Sequence, residues 1–268
     1  MKIHLVVCDV DGTLVRHDKT LPDANVEAAK RLKAAGIAMT LISARPMSGI
    51  RWLADALELD GPFGAFNGGT LFDARGAVIG QPERLAPEVA LRILSILDEA
   101  RVDVWLFAHE RWHARDDRNL HVPREKLSAA LEPTLRGDLE TLCGAADKIV
   151  GVSDDAALLK RLEAAMQQAT QGEATVALSQ PYFLDVTALK ANKGDGVAAV
   201  AAAMGVPLAE VAVIGDMPND LPMFARAGLS IAMGQAPEAV RAAARWTTAS
   251  NEEAGVAQAI DRLIGERP

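Results

Sequence analysis

Leu5-Val6-Val7-Cys8-Asp9-Val10-Asp11-Gly12-Thr13 decides how the rest of the chain is read. A short apolar run, rich in valine and without polar alternation, is what a strand of a parallel sheet covered on both faces needs. The run ends abruptly in acid. In an extended chain residues i and i+2 face the same way, roughly 6.6 Å apart, so the carboxylates of Asp9 and Asp11 address one ligand from neighbouring positions. Taken alone, Asp11-Gly12 is more commonly a turn after a strand. An EF-hand is a poorer match, because Gly12 falls too early in such a loop and Thr20 stands where the bidentate Glu belongs.

Downstream, Asp23 predicts an N-cap for a helix carrying Val26, Ala29, Leu32 and Lys33 at helical spacing, with Gly36 as its stop. Ile37 to Ser43 reads as a second buried strand, and Pro46 suits the first turn of a helix with Ile50, Leu53 and Leu57 on one face. Three short β runs follow, Phe63 to Phe66, Thr70 to Phe72 and Ala77 to Ile79, separated by Asn67-Gly68-Gly69 and Arg75-Gly76 as in small hairpins. From Pro82 the character changes. A helix Glu88 to Ala100 precedes paired strands Val102 to Ala108 and Arg111 to Ala114, a helix Arg124 to Leu131, a strand Lys148 to Val152, a helix Asp155 to Gln168, and strands Ala174 to Leu178 and Tyr182 to Val186. The first pattern then returns: helix Gly196 to Met204, strand Val211 to Ile214, a helix from Pro218, strand Leu229 to Ala232, and a closing helix Glu253 to Ile264. The expected fold class is α/β, a doubly wound, parallel-sheet, Rossmann-like core over residues 1–82 and 186–268 with an α/β domain, residues 83–185, inserted into it.

The length of 268 residues suits about two domains at one per roughly 150 residues. With 50% hydrophobic and 24% charged residues, the chain has the balance of a soluble globular protein. Lys plus Arg is 28 against 36 Asp plus Glu, a net charge of −8, which argues against nucleic acid or an anionic membrane as the main partner. A small anion is still a suitable ligand if local cations or a metal offset the field. Cys8 and Cys143 form no metal motif or disulfide framework and read as small buried hydrophobes. The N-terminal apolar run is too short for a signal segment or a membrane span, so a cytoplasmic location is expected.

A second acidic cluster, Gly215-Asp216-Met217-Pro218-Asn219-Asp220, closes the strand at 211–214. Open α/β sheets bind ligands at strand carboxyl ends, so the two clusters share one crevice. Like charges that close are costly unless a cation sits between them, and hard carboxylate oxygens favour Mg²⁺, which keeps waters and accepts a substrate phosphate. Asp216 alone is equally an N-cap of the next helix, but that does not explain the first cluster. Ser43-Ala44-Arg45 at the second strand end, with its helix-start amides, suits phosphate oxygens, and a lysine from the 190–193 stretch supplies charge. Lys190 and Lys193 are equally available by composition. Gly194 to Ala199 also spells GxGxxA, but the polar segment before it stands where a dinucleotide site needs a strand.

In this order, the DVDGT strand end, a serine at the next strand end, a Lys-Gly and GDMPND resemble the four motifs of the haloacid dehalogenase superfamily. The tail from Gly215 to Ile260 is similar throughout to its Cof-type phosphatases, which carry a class IIB α/β cap between the second and third motifs. The resemblance implies Asp9 as a nucleophile that forms an aspartyl-phosphate. It makes Asp11 the general acid for the leaving oxygen and then the base for water. Asp11 serves near neutrality only if burial, Asp9 and the phosphate dianion raise its pKa from about 3.9. Asp9, the Asp11 carbonyl and Asp216 become Mg²⁺ ligands; Ser43 and Lys193 hold the phosphoryl group; Ala44, Arg45, Asn67 and Asn219 line the substrate site, and Asp220 supports. Two positions depart from the family pattern, since Ser43-Ala44-Arg45 replaces the usual Thr-Gly-Arg and Asn67-Gly68-Gly69 the usual Asn-Gly-Ala. Trp105, His109, Trp112, His113 and Arg118 offer either sugar or base stacking or, for any one of them more simply, cap core and strand faces. The expected activity is Mg²⁺-dependent hydrolysis of a small phosphate monoester, a sugar phosphate foremost. The alternatives are a phosphomutase, which would yield an isomerised product, and a non-catalytic sugar-phosphate-binding protein, which would turn over no monoester.

Overall fold

A computed structural model describes residues 2–265. The chain opens as strand β1 (Leu5–Cys8), helix α1 (Asp23–Ala34), strand β2 (Ala38–Leu41) and helix α2 (Met47–Ala56), followed by short strands β3 (Phe63–Ala65), β4 (Thr70–Phe72) and β5 (Val78–Ile79). Then come α3 (Pro87–Glu99), β6 (Asp103–Ala108), β7 (Arg111–Ala114), α4 (Val122–Ala129), β8 (Thr134–Leu135), β9 (Ala146–Val152), α5 (Ala156–Thr170), β10 (Ala174–Gln180) and β11 (Phe183–Ala188). The last third holds α6 (Lys193–Ala203), β12 (Val211–Gly215), α7 (Leu221–Phe224), β13 (Leu229–Ala232), α8 (Glu238–Ala243), β14 (Trp246–Thr247) and α9 (Gly255–Gly265).

Five strands pair in parallel in the order β14-β13-β12-β1-β2. The lack of polar alternation in β1 has its cause in this layering. Val6 and Cys8 pack into the cluster that includes Leu32 of α1 and Ile260 of α9, whereas Leu5 and Val7 pack with Val197 and Val200 of α6. Both faces of the strand are dry, so every side chain of Leu5–Cys8 is apolar.

Residues between β5 and α6 build a separate six-stranded sheet, β10-β11-β9-β6-β7-β8, antiparallel except for the β7–β8 pair. Helices α3 and α5 cover one face, with Ile93, Leu97, Leu159 and Met166 buried against Leu106, Ile149 and Val186. The opposite face carries Trp105, Phe107 and Trp112 toward the parallel-sheet unit, where Phe66 meets Phe107 at 5.9 Å between ring centroids. The boundary expected after residue 185 cuts β11, whose pairing with β10 continues to Ala188 opposite Ala174. We therefore propose that the inserted unit ends at Ala188.

Local differences have identifiable causes. Pro22 holds the N-cap position of α1 with no side-chain cap, and Asp23 is the first helical residue, where its charge meets the helix dipole. Helix α6 starts at Lys193, three residues before expectation, because the Asn192 side chain accepts a hydrogen bond from the Asp195 amide at 2.9 Å. Its glycines serve packing. A Cβ on Gly196 would lie 2.8 Å from the Gly68 Cα and 2.6 Å from Ile42 Cδ1, so the helix start rests directly on the turn after β3. We expect Gly196→Val to lower the unfolding free energy by about 2 kcal/mol, within the usual cost of overpacking; urea denaturation checks this, and an unchanged midpoint would contradict the close packing.

Candidate active site

The carboxyl ends of β1, β2 and β12 converge, and each delivers one group expected in the site. Asp9 follows β1 directly, its amide donating to the Ile214 carbonyl at 2.9 Å, and only 4% of its surface is exposed. Asp216 follows β12 and Ser43 follows β2; both are buried. One carboxylate oxygen from each of Asp9, Asp216 and Asp220 lies within 4.8 Å of the other two.

These three acids are not equivalent. Asp220 Oδ1 accepts from Lys193 Nζ at 2.5 Å, and its Oδ2 accepts from the amides of Asp216 at 2.8 Å and Met217 at 2.9 Å. Its lone pairs are committed to shaping the turn after β12, where Met217 holds the N-cap position and the Asp220 side chain reaches back to its amide, so Asp216 is not the cap of that turn. Asp216 Oδ1 accepts from the Thr13 hydroxyl at 3.2 Å. Gly12, with φ +80°, brings the backbone so near Asp216 that a Cβ there would collide with its carboxylate.

Lys193 spans the centre. Its Nζ lies 2.5 Å from Asp9 Oδ1 as well as from Asp220, and the side chain is buried. Burial works against its charge, yet Asp220 and Asp9 hold its pKa above the usual lysine range. Lys190 is exposed. Burial pushes Asp9 up to about 6, against the pull of Lys193 and with the repulsion of Asp220. Burial, with Asp9 and Asp220 alongside, likewise raises Asp216 well above the ordinary carboxylate range. One lysine therefore does not neutralise this cluster. Two buried carboxylates, Asp9 and Asp216, that resist ionising together are a donor set suited to a hard divalent cation.

Asp11 behaves differently from expectation. Burial alone would raise its pKa, but Arg45 and Lys19 outweigh it and hold the carboxyl well below the usual range. Arg45 clasps it as a fork, Nε to Oδ2 and Nη2 to Oδ1, both at 2.7 Å. Lys19 Nζ bonds the same Oδ1. The elevation needed for proton donation is thus not present in this arrangement. Arg45 was singled out as a substrate group, and its engagement of Asp11 follows from the approach of two loops far apart in sequence.

Ser43 anchors the neighbouring wall. Its hydroxyl accepts from the Arg45 amide at 3.2 Å, and its carbonyl accepts from the Asn67 amide at 2.7 Å. Asn67 reaches that position with φ +59°, a conformation asparagine tolerates better than most residues. Asn219 Nδ2 approaches Asn67 Oδ1 at 3.5 Å. The Ala44 carbonyl accepts from Lys148 Nζ of β9 at 2.9 Å, a contact that ties the inserted unit to the parallel-sheet unit. Arg124 Nη2 to the His17 carbonyl, 2.9 Å, and Ser48 Oγ to the Ala129 carbonyl, 2.5 Å, add two more such ties.

The crevice between the two units is lined by Asp9, Asp11, Ser43, Ala44, Arg45, Lys193, Asp216 and Asn219 from one side. From the other come Arg124, Glu125, Lys148, Ser179, Gln180 and Tyr182. Sequence reasoning missed this second group, because its residues lie on unrelated elements with no motif. Tyr182 stacks on His121 at 4.0 Å between ring centroids, and His121 in turn meets Asp154. The aromatic set considered for stacking takes no part. Trp105 and Trp112 pack edge to face at 4.9 Å in the interior, His113 is buried, Arg118 is exposed beside Asp116, and His109 lines a different cavity.

A family model described as haloacid dehalogenase-like hydrolase matches residues 6–260. A putative phosphatase of Haemophilus influenzae is 29% identical over 267 residues, covering 99% of this chain and 100% of that one. The pyridoxal phosphate phosphatase of Escherichia coli is 25% identical, covering 97% of this chain and 98% of that one. Among solved structures, a haloacid dehalogenase-like hydrolase from Bacteroides thetaiotaomicron superposes with a TM-score of 0.84 at 30% identity, covering 98% of this chain and 100% of that one.

Proposed function

The chain belongs to the haloacid dehalogenase-like hydrolases and is a phosphoric monoester hydrolase; from that premise we propose that it hydrolyses small phosphorylated metabolites, sugar phosphates foremost, with Mg²⁺ and through an aspartyl-phosphate on Asp9. The observation that supports this reading is the convergence of Asp9 and Asp216, at two strand ends of one parallel sheet, with Lys193 at the start of α6. Asp9 and Asp216, with the Asp11 carbonyl by family analogy, would hold Mg²⁺, which supplies charge neutralisation for nucleophile and phosphoryl oxygens alike.

In the first step a carboxylate oxygen of Asp9 bonds to phosphorus as the bond to the leaving oxygen breaks, and Asp11 gives that oxygen its proton. In the second, water attacks the same phosphorus, Asp11 takes the water's proton, and inorganic phosphate leaves Asp9. Ser43 and Lys193 hold the phosphoryl oxygens, with Ala44, Arg45, Asn67 and Asn219 lining their surroundings. Asp11 must gain a proton before it can act, and the fork from Arg45 opposes that. A phosphoryl dianion offers Arg45 a competing partner, so substrate entry itself relieves Asp11 of one of its two cations. The leaving group then meets the mixed-charge wall of Arg124, Glu125 and Lys148. Among the described residues no helix is long and apolar enough to cross a membrane.

The test is a panel of phosphate monoesters assayed after chelation and after Mg²⁺ is restored, with Asp11→Asn alongside. We expect turnover to vanish on chelation and to return with Mg²⁺, and Asp11→Asn to lower kcat by about 10²–10⁴-fold, the usual range for a lost general acid–base. Free phosphate with no phosphorylated product marks hydrolysis. An isomerised phosphate ester in its place marks the phosphomutase, and full metal-free activity would contradict the role given to Asp9 and Asp216.

A further inference from the structure

We propose that Asp185, on β11 of the inserted unit, is the residue that selects a polyhydroxylated leaving group, its carboxylate accepting hydrogen bonds from substrate hydroxyls beside the phosphoryl site. This deepens the phosphatase reading and rests on it. Asp185 is only 4% exposed, and neither carboxylate oxygen accepts a hydrogen bond of good geometry, although the Ser179 hydroxyl stands close enough to help stabilise its charge. Lys148 Nζ forms a long ion pair with Oδ2 at 3.8 Å, beyond hydrogen-bond range, while it donates to the Ala44 carbonyl at 2.9 Å. A buried carboxylate without donors is costly, and native structures rarely keep one without a use.

Its surroundings point to that use. Asp185 lines a cavity of about 220 Å³ that shares Ser179, Lys193 and Asn219 with the active-site crevice. Asn219, which lines both spaces, has its Oδ1 buried without a donor. Three acceptor atoms therefore await donors next to the lysine that bonds Asp9. The ligand class follows from charge. A second phosphate would meet the carboxylates of Asp185 and Glu125, and an ammonium group would meet Lys148 and Lys193. A neutral hydroxyl meets neither penalty; it donates to Asp185 and accepts from Ser179 or Lys148. Several hydroxyls in a row, as on a sugar or a polyol, satisfy the site as a single alcohol does not.

The test compares a hexitol 6-phosphate with n-hexyl phosphate, which has the same carbon chain without hydroxyls, and uses phenyl phosphate to report phosphoryl transfer itself. In the wild type kcat/KM should favour the hexitol ester. In Asp185→Asn that preference, taken as the ratio of the two kcat/KM values, should fall about ten- to hundredfold, the weight of a hydrogen bond to a charged acceptor. Asp185→Leu, with folding checked by thermal unfolding, should abolish the preference. Equal loss on both alkyl esters would make Asp185 merely structural and overturn the proposal, as would a wild type with no preference while phenyl phosphate is consumed. A wild type inert on all three esters would overturn the phosphatase reading, and this inference with it.

Discussion

Asp9→Asn should lower kcat on any monoester substrate by at least about 10³-fold while leaving the fold intact, since enzymes deprived of their nucleophile keep only the part of their acceleration due to binding and charge. The amide is nearly isosteric with the carboxylate and can still accept from Lys193 at its remaining oxygen. What it lacks is the negative charge and electron pair that bond to phosphorus. The substitution also removes one of the two carboxylates assigned to Mg²⁺, so kcat should fall even at saturating metal. Single-turnover assays with a ³²P-labelled ester provide the sharper readout. Wild-type protein quenched in acid should carry acid-stable, alkali-labile label, and Asp9→Asn should carry none. Label retained by the variant would remove Asp9 from the role of nucleophile, whatever its effect on rate.

Lys193→Ala should have the second largest effect, and it should appear in both activity and stability. The ammonium is bonded to Asp9 and Asp220, all three groups being buried. Removing one member of a buried ion pair leaves its partner uncompensated, at a cost of about 3–5 kcal/mol. Asp220 is also the group that accepts from the amides of Asp216 and Met217, so its displacement would loosen the turn that holds Asp216. Lys190→Ala removes an exposed side chain and should change stability by no more than about 0.5 kcal/mol, with turnover near wild type. Urea denaturation at neutral pH and an assay of both variants under identical Mg²⁺ decide the matter. A larger loss of turnover in Lys190→Ala would reverse the choice of lysine.

The pKa of Asp11 is held down by Arg45 and Lys19 against the effect of burial, so the carboxylate is ionised at neutral pH in the absence of substrate. Resemblance to a family identifies the residue that transfers a proton, but the protonation state depends on which cations the fold brings within reach. Lys19 illustrates the difficulty. It lies eight residues along the chain from Asp11 with no motif to mark it, and only the loop between β1 and α1 turns it back onto that carboxylate.

Much of the architecture was legible because periodicity and chain ends carry it. Unalternated apolar runs at Leu5–Cys8 and Val211–Ile214 can be stable only between two layers of helices, and each such run ending in acid marks one edge of a crevice. The hairpins between Phe63 and Ile79 were equally plain from their Asn-Gly and Arg-Gly turns. Short elements were not. Strand β14 has two residues and helix α8 six, too few for a period to emerge, and they form because β13 offers a free edge and the apolar cluster around Val240 a surface. Trp105 and Trp112 invited a stacking role in the sequence, whereas diagonal positions on β6 and β7 turn both rings inward against each other.

The linear chain by itself determined the α/β class, the inserted unit and the identity of the acids at the ends of β1 and β12, because those features depend on local spacing and on which residues tolerate burial. Tertiary structure alone decided which lysine is buried among the carboxylates, which cations restrain Asp11, and which side chains of the inserted unit face the crevice. The physical reason is range. Strand and helix periodicity is a property of neighbours along the chain, whereas burial and Coulombic pairing depend on distances through space between residues as far apart as 9, 148 and 193, and no local pattern encodes those distances.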